Sequence, residues 1–291
     1  MSHCQAALLP SRGVLRVAGP DARKYLQGLI TSDIGKAQDG QAIYAGLLSP
    51  QGKILFDFFV VGADGGYLID VAQAKAGDLV KRLAFYRLRA QVEIGEESGL
   101  AVAAVWGGPP CVPEGAVAYT DPRLAGLGFR ILLPAGANVG DLGCAAATEA
   151  DYHARRISLG VPEGGLDYGF GEAFPHEALF DQLNGVDFAK GCFVGQEVVS
   201  RMEHRGTARK RVVPIEGEAP LPATGTSIEA GGVPVGTIGS VSGSSGLALV
   251  RLDRAEEALA RGTALTAGGV GITLHQPAFA RFTVPVTALS A

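Results

Sequence analysis

Apolar positions along the chain fall into strand-like and helix-like stretches that alternate. Residues 42–48 and 53–61 are apolar runs joined by Ser49-Pro50-Gln51-Gly52, whose serine, proline and glycine match a type I turn, so the pair predicts a hairpin. A short strand is predicted at 14–18, another at 67–71 after Asp64-Gly65-Gly66, and three more at 92–94, 101–106 and 128–133. Leu79, Val80, Leu83 and Tyr86 recur at helical spacing, which predicts a helix over 73–88. Pro20 stands near the first position of another helix, predicted to reach residue 30. Thr148 is placed to cap a helix over 148–159, with Asp151 three residues on. Residues 160–191 are glycine-rich and irregular but dense in polar side chains, and helical character returns over 196–202.

Beyond Arg211 the pattern changes to short strands between glycine turns, at 212–215, 235–238, 247–252, 264–266 and 272–274. Strands this short and close predict a small barrel or sandwich, with a boundary near 207–214. No repeat of fixed period is evident.

Composition narrows the class. At 291 residues the chain has room for two or three domains and a core that needs no staples. Hydrophobic residues make up 47% and charged residues 19%, the balance of a folded chain. The net charge of −4 lacks the basic footprint of a nucleic-acid binder. Cys4, Cys111, Cys144 and Cys192 show no metal-ligand spacing, so no metal site is expected, and they are too scattered for a disulfide framework. That favours a reducing compartment. The first 17 residues lack the charged-then-apolar pattern of a signal peptide, and no run of about 20 apolar residues exists to span a membrane. Together these point to a cytoplasmic protein.

The chemistry concentrates in Lys190-Gly191-Cys192-Phe193-Val194-Gly195-Gln196-Glu197. A thiol near a cation and a helix N-terminus can hold its thiolate form, the nucleophilic and metal-binding species. The bland alternative is a buried cysteine acting as a small hydrophobe. Glu197 is a candidate ligand, but it is also favoured by the helix dipole and stands four residues before Arg201. The run 201–211 is locally basic and suits a polyanion, or is a solvated face at a domain boundary. In Phe174-Pro175-His176-Glu177-Ala178, Glu177 could accept two parallel hydrogen bonds from a planar amino-heterocycle, or cap the following segment. Nucleotide motifs fail: Gly52-Lys53 is followed by Ile54 where a P-loop needs a hydroxyl residue, and Gly239-Ser240-Val241-Ser242-Gly243 has no central serine.

The segment from Lys190 to Glu197 closely resembles the K-G-C-[FY]-x-G-Q-E signature of the YgfZ family, within the superfamily of the glycine-cleavage T-protein, an aminomethyltransferase. Tyr25-Leu26-Gln27-Gly28-Leu29-Ile30-Thr31-Ser32-Asp33-Ile34, the stretch 48–59, Gly160-Val161-Pro162-Glu163-Gly164-Gly165 and Pro234-Val235-Gly236-Thr237-Ile238-Gly239 are also similar, so the likeness spans nearly the whole chain. The resemblance implies an α+β, T-protein-like three-lobed arrangement: two α+β lobes in a folate-binding region over 1–210 and a C-terminal small β-barrel over 211–291, around a central channel. It implies tetrahydrofolate as the bound cofactor and iron–sulfur client or assembly proteins as partners. Glu177 then corresponds to the pterin-contacting glutamate and Cys192 to the signature cysteine, with Lys190 as its neighbour. Gln196, Glu197, Arg201 and Arg205 join the folate-contacting candidates, the two arginines steering the folate carboxylates.

One departure matters. The T-protein carries adjacent acids in its G-x-x-[LI]-D-D strand; here the chain reads Gly52-Lys53-Ile54-Leu55-Phe56-Asp57. Phe56 cannot accept a proton, and Asp57 points to the opposite face of the strand. The leading expectation is therefore a folate-binding accessory protein in iron–sulfur cluster assembly or repair. The alternatives are a folate-dependent aminomethyl or one-carbon transferase, and a scaffold that binds a partner protein or tRNA through the basic run.

Overall fold

The computed structural model describes residues 4–206 and 208–285, so Thr207, in the expected boundary, lies outside the described residues. The chain forms two compact units, one of residues 1–152 and 183–198 and one of 153–182 and 199–291.

Among the described residues the first unit holds ten strands: β1 (Gln5–Leu8), β2 (Arg12–Ala18), β3 (Ala42–Leu48), β4 (Ile54–Ala63), β5 (Gly66–Ala72), β6 (Glu93–Glu96), β7 (Leu100–Trp106), β8 (Val117–Thr120), β9 (Phe129–Pro134) and β10 (Ala145–Ala146). They form two five-stranded sheets, ordered β3-β4-β5-β2-β6 and β10-β1-β7-β9-β8. The expected hairpin is present: Gly52 N–H donates to Ser49 O at 2.8 Å, and the Ser49 hydroxyl accepts from Gln51 and Lys53 N–H. Helix α1 (Ala22–Gln27) ends earlier than its periodicity predicts, and α2 (Gln73–Tyr86) matches closely. Both cover one face of the first sheet, where Leu26, Leu79 and Leu83 pack with Leu15, Phe56, Phe58, Val60 and Ile69.

Strand alternation puts the other set of side chains on the opposite face. There the structure buries charge. Asp70 of β5 accepts from Arg12 Nε at 2.7 Å on one oxygen, and from Arg130 Nη1 at 2.5 Å and the Tyr119 hydroxyl at 3.1 Å on the other. Arg12 and Asp70 belong to the first sheet, Tyr119 and Arg130 to the second, so one carboxylate ties the two together. Asp121 pairs with Arg123 at 2.8 Å, and both Arg123 and Arg130 donate to the Tyr152 hydroxyl, at 2.9 and 3.0 Å. The Phe59 ring lies 4.2 Å from the Arg130 guanidinium and 4.8 Å from that of Arg123. Burial alone would raise the Asp121 carboxyl, but Arg123 and Arg130 outweigh it and hold it below the ordinary carboxylate value.

Cys4 and Cys144 form a disulfide, which corrects the expectation of unpaired cysteines. Their separation of 140 residues hides the pairing in the sequence; β1 and β10 lie side by side in parallel, which brings the two Cα atoms to 4.9 Å.

Helix α3 (Glu149–Ser158) begins with the expected cap: the Thr148 hydroxyl accepts from Asp151 N–H at 3.2 Å and Asp151 Oδ2 accepts from Thr148 N–H at 2.8 Å. Helix α4 (Gln196–Arg205) follows the signature. The second unit is built on strands β11 (Lys210–Gly217), β12 (Ser227–Ala230), β13 (Val233–Ser242), β14 (Ser245–Arg251), β15 (Leu265–Ala267) and β16 (Val270–Leu274), with α5 (Leu252–Ala260) between β14 and β15. The six close into a barrel, β11-β14-β13-β12-β15-β16, around Val213, Ile215, Ile228, Ile238, Val250 and Leu265. Segment 153–182 is bolted to it by Arg156, fully buried, which donates to Asp167 Oδ2 at 2.6 Å and to the Ser240 hydroxyl. Asp167 Oδ1 also accepts from Ser240 N–H at 2.7 Å. A Cβ at Gly239 would meet that oxygen at 2.5 Å, so the close approach needs glycine there.

Replacing Asp70 by Asn should leave Arg12 and Arg130 buried with no full counter-charge and cost about 3–5 kcal/mol. The exposed Asp78, 3.9 Å from Lys81, is the control: Asp78→Asn should cost no more than about 0.5 kcal/mol. Urea unfolding of both variants measures the contrast, and equal losses would refute it.

Candidate functional site

The signature loop is held by its lysine. Lys190 Nζ donates to Gln27 O at 2.7 Å, Ile30 O at 2.6 Å and Ser32 O at 3.2 Å. The first of these carbonyls ends α1, where an orphan acceptor and the negative end of the helix dipole both favour a cation. The ammonium also sits 5.3 Å from the Phe193 ring centroid. Burial pushes the lysine from its ordinary 10.5 down to about 8, with Asp33 and Asp187 opposing the shift. Lys190 is thus a buried anchor of the loop.

The loop's glycine has an equally local cause. Gly195 takes φ +82°, and a Cβ there would sit 2.6 Å from Ser49 O, so the chain crosses directly against the 49–52 hairpin turn. With lysine and glycine fixed, Gly191 and Cys192 are left exposed between them. Gln196 is half-buried and Glu197 exposed in the first turn of α4. Lys190, Cys192, Gln196 and Glu197 therefore share one loop and helix start in the first unit.

Upstream of the loop lies a cavity of about 570 Å³ in the same unit, lined by Ser32, Asp33, Tyr44, Asn184, Val186 and Phe188 among others. Its size lies in the range of small-molecule sites. Asn184 adopts φ +59° and donates its amide to Pro122 O at 2.9 Å. Asp187 accepts from Ala189 N–H at 2.9 Å and from Lys36 Nζ at 2.6 Å, pinning the segment between cavity and signature. Behind the wall, the Tyr44 hydroxyl donates to the buried Asp57 at 3.0 Å. Phe56 packs in the apolar cluster below the helices, so Phe56 and Asp57 do face opposite ways.

Sequence reasoning missed Tyr44, Asn184 and Asp187. Only Asn184-Gly185, a pair suited to positive φ, carried a local signal, and it lay in a stretch without periodicity.

The other candidates belong to the second unit. Glu177 reaches back within its own turn: Oε2 accepts from Phe174 N–H at 2.8 Å, and Glu177 N–H donates to Phe174 O at 3.0 Å. Arg201 and Arg205 are exposed on α4. The basic run is not one uniform face. Arg211 is buried, donates to both oxygens of Asp181 at 2.6 and 2.8 Å and to His176 O at 2.9 Å, and stacks 4.6 Å from the Phe282 ring. His176, Asp181 and Glu203 bring ligand atoms within 4.8 Å of one another, a set that could hold a metal ion. There Arg211 already supplies the positive charge to Asp181.

A family model described as the GCVT N-terminal domain matches residues 10–110, and one described as the CAF17 C-terminal beta-barrel domain matches 209–282. The human protein named "Iron-sulfur cluster assembly factor IBA57, mitochondrial" is 35% identical over 280 residues, covering 83% of this chain and 76% of the relative. The chain belongs to the IBA57 family. The Neurospora crassa homologue of the same name is 36% identical over 244 residues, covering 75% of this chain and 56% of its own. Among solved structures, the glycine cleavage system aminomethyltransferase T from Bartonella henselae superposes with a TM-score of 0.76 at 16% identity, over 96% of this chain and 87% of that one. The fold is therefore GcvT-like, α+β lobes with a C-terminal six-stranded barrel. The cytoplasmic expectation is overturned by the family relatives, which are named mitochondrial. Sparse cysteines speak to redox conditions and carry no address, so they could not have separated the two compartments.

Lys190→Met should free the loop and raise amide exchange across 187–195. It also has a pH signature. Between about pH 8 and 10.5 the unfolded lysine keeps its proton while the folded one has lost it, so the unfolded chain binds more protons and stability rises with pH. Wild type should therefore gain on Lys190→Met by an order of 1 kcal/mol from pH 8 to pH 10 in parallel denaturation curves. A constant or shrinking difference would contradict this.

Proposed function

We propose that this chain is a tetrahydrofolate-binding accessory protein for iron–sulfur cluster assembly or repair, with its signature of the YgfZ type. The observation that carries the reading is the exposure of the Cys192 thiol at the centre of a loop anchored on both sides, by Lys190 and by Gly195. A sulfur held this way can meet a partner or a cluster without rearrangement of the loop. The family relatives, named as iron–sulfur cluster assembly factors, support the biological side.

The cavity fits a reduced pterin in size and chemistry. Tyr44, Val186 and Phe188 offer aromatic and apolar faces, while Asp33 and Asn184 offer polar groups for an amino-heterocycle. By the resemblance, and independently of this cavity, Glu177 is the proposed acceptor for a pterin edge and retains acceptor capacity beyond its bond to Phe174. Gln196, Glu197, Arg201 and Arg205 are the further folate contacts that the resemblance proposes. Bound tetrahydrofolate would supply one-carbon or reducing chemistry; the residues here bind and orient it and present the thiol. The proposed division places folate binding in 1–210 and the barrel in 211–291.

Phe56, 7% exposed within the apolar cluster, counters the aminomethyl transferase alternative, because no acid stands at that position. The scaffold alternative loses one of the five arginine and lysine side chains of its run, since Arg211 is spent on Asp181.

Titration of the purified protein with tetrahydrofolate tests the binding half. Glu177→Ala should weaken binding about 10–100-fold, the loss of a charge-assisted bond. Equal affinity would remove Glu177 from the site, and no binding by wild type would end the folate reading. Cys192→Ala tests the other half: iron–sulfur enzyme activity in cells should fall while folate affinity stays within about twofold. Full activity with a normally folded variant would sink the thiol role.

A further inference from the structure

Three of the chain's four cysteines converge at one end of the second sheet, although Cys4, Cys111 and Cys144 are far apart in sequence. Cys4 and Cys144 are joined, and Cys4 is only 1% exposed, packed with Ala6, Val105, Ile131 and Leu142. Cys111 is free and exposed. Its N–H donates to Leu142 O at 2.9 Å, and a Cβ on Gly143 would lie 3.0 Å from its sulfur, so the Cys111 thiol rests on the residue next to Cys144. A Cβ on Gly108 would lie 3.4 Å from that of Cys4, so segment 108–111 runs from beside Cys4 to beside the neighbour of Cys144.

We propose that these three cysteines form a thiol–disulfide relay, with Cys111 as the solvent-facing exchange thiol and Cys4–Cys144 as the disulfide in which oxidation comes to rest. The substrate class is a low-molecular-weight disulfide, RSSR. The Cys111 thiolate attacks RSSR, forms Cys111–S–SR and releases one RS⁻. The Cys144 thiolate then attacks the Cys111 sulfur, forming Cys111–Cys144 and expelling the second RS⁻. Finally the Cys4 thiolate attacks the Cys144 sulfur, and the electron pair of the broken bond leaves on Cys111. Two protein thiols are oxidised, RSSR is reduced to two RSH, and the thiol protons go to the leaving sulfurs.

The direction follows from solvation. An exposed sulfur releases its leaving charge into water, whereas the Cys4 sulfur, enclosed by Ala6, Val105 and Leu142, does not, so exchange runs from Cys111 through the half-buried Cys144 toward the buried Cys4. The product locks β1 beside the two-residue strand β10, whose ladder is too short to hold alone. The barrel, the cavity and the signature loop take no part.

The test uses the full-length protein, reduced with dithiothreitol, freed of reductant and mixed with oxidised glutathione. Samples are alkylated at intervals and their disulfides mapped by peptide mass spectrometry. Glutathione should appear on Cys111 before Cys4–Cys144 forms, and Cys111→Ser should slow that bond at least tenfold. Cys4→Ala, which keeps a small apolar group in the cluster, should halt the sequence at Cys111–Cys144. An unchanged rate in Cys111→Ser, or absence of Cys111–Cys144 in a folded Cys4→Ala variant, would overturn the relay. Should Cys4→Ala fail to fold by circular dichroism, the rate in Cys111→Ser decides alone.

Discussion

Asp70 is the constraint on which the first unit depends. Its two oxygens receive two guanidinium groups and a phenol from strands of both sheets, and it is 1% exposed. A carboxylate moved from water into such a place is costly unless its charge is matched and its lone pairs are filled. Here both conditions hold, and the match reaches further. Arg12, Arg123 and Arg130 face Asp70 and Asp121 directly; Asp57, the third buried acid, bonds to Tyr44, whose ring lies 5.7 Å from the Arg123 guanidinium. Three cations and three anions thus share one layer. Tyr44 belongs to this layer and also lines the cavity, so the cavity wall is fixed by the same charges that join the sheets.

The signature is held by a different set of contacts. In the sequence, Lys190 reads as the electrostatic companion of Cys192. Its ammonium instead satisfies three carbonyls at the end of α1 and beyond it, and desolvation there lowers its proton affinity. A group held that way sets the position of the loop to within a hydrogen-bond length. What the contacts show is placement of the loop that carries the thiol, and filling all three carbonyls takes the three N–H groups of the ammonium.

Much of the fold was legible because its signals are local. The hairpin at 42–63 announced itself by two apolar runs and a turn, the α3 cap by Thr148 and Asp151, and five of the six barrel strands by valine and isoleucine between glycines. Strands β1, β8 and β10 were missed; with four, four and two residues they leave little room for a period-two pattern to stand out. Helix α1 ends at Gln27, short of its periodicity, and its terminal carbonyl is taken by Lys190 from far along the chain, a contact no local signal shows. The cavity was illegible for the same reason: its walls come from residues near 32–44, 120–122 and 184–188, and only topology places them together. The signature was visible as a string, while the cause of each letter lay elsewhere.

The cysteines show the limit in its sharpest form. Spacing rules look for ligands or bridges close in sequence, and by that measure four scattered cysteines are inert. Their meaning depends on β1 adding to the edge of a sheet whose other strands come some 100 residues later, beside a strand of only two residues. Parallel edge pairing of this kind gives few hydrogen bonds, so a covalent link contributes most at that place. Cys192 stands apart from these three: it is exposed on a loop fixed by unrelated contacts, and it is held by neither disulfide nor sheet. The two kinds of sulfur therefore answer to different parts of the structure, one to the edge of a sheet and the other to the end of a helix.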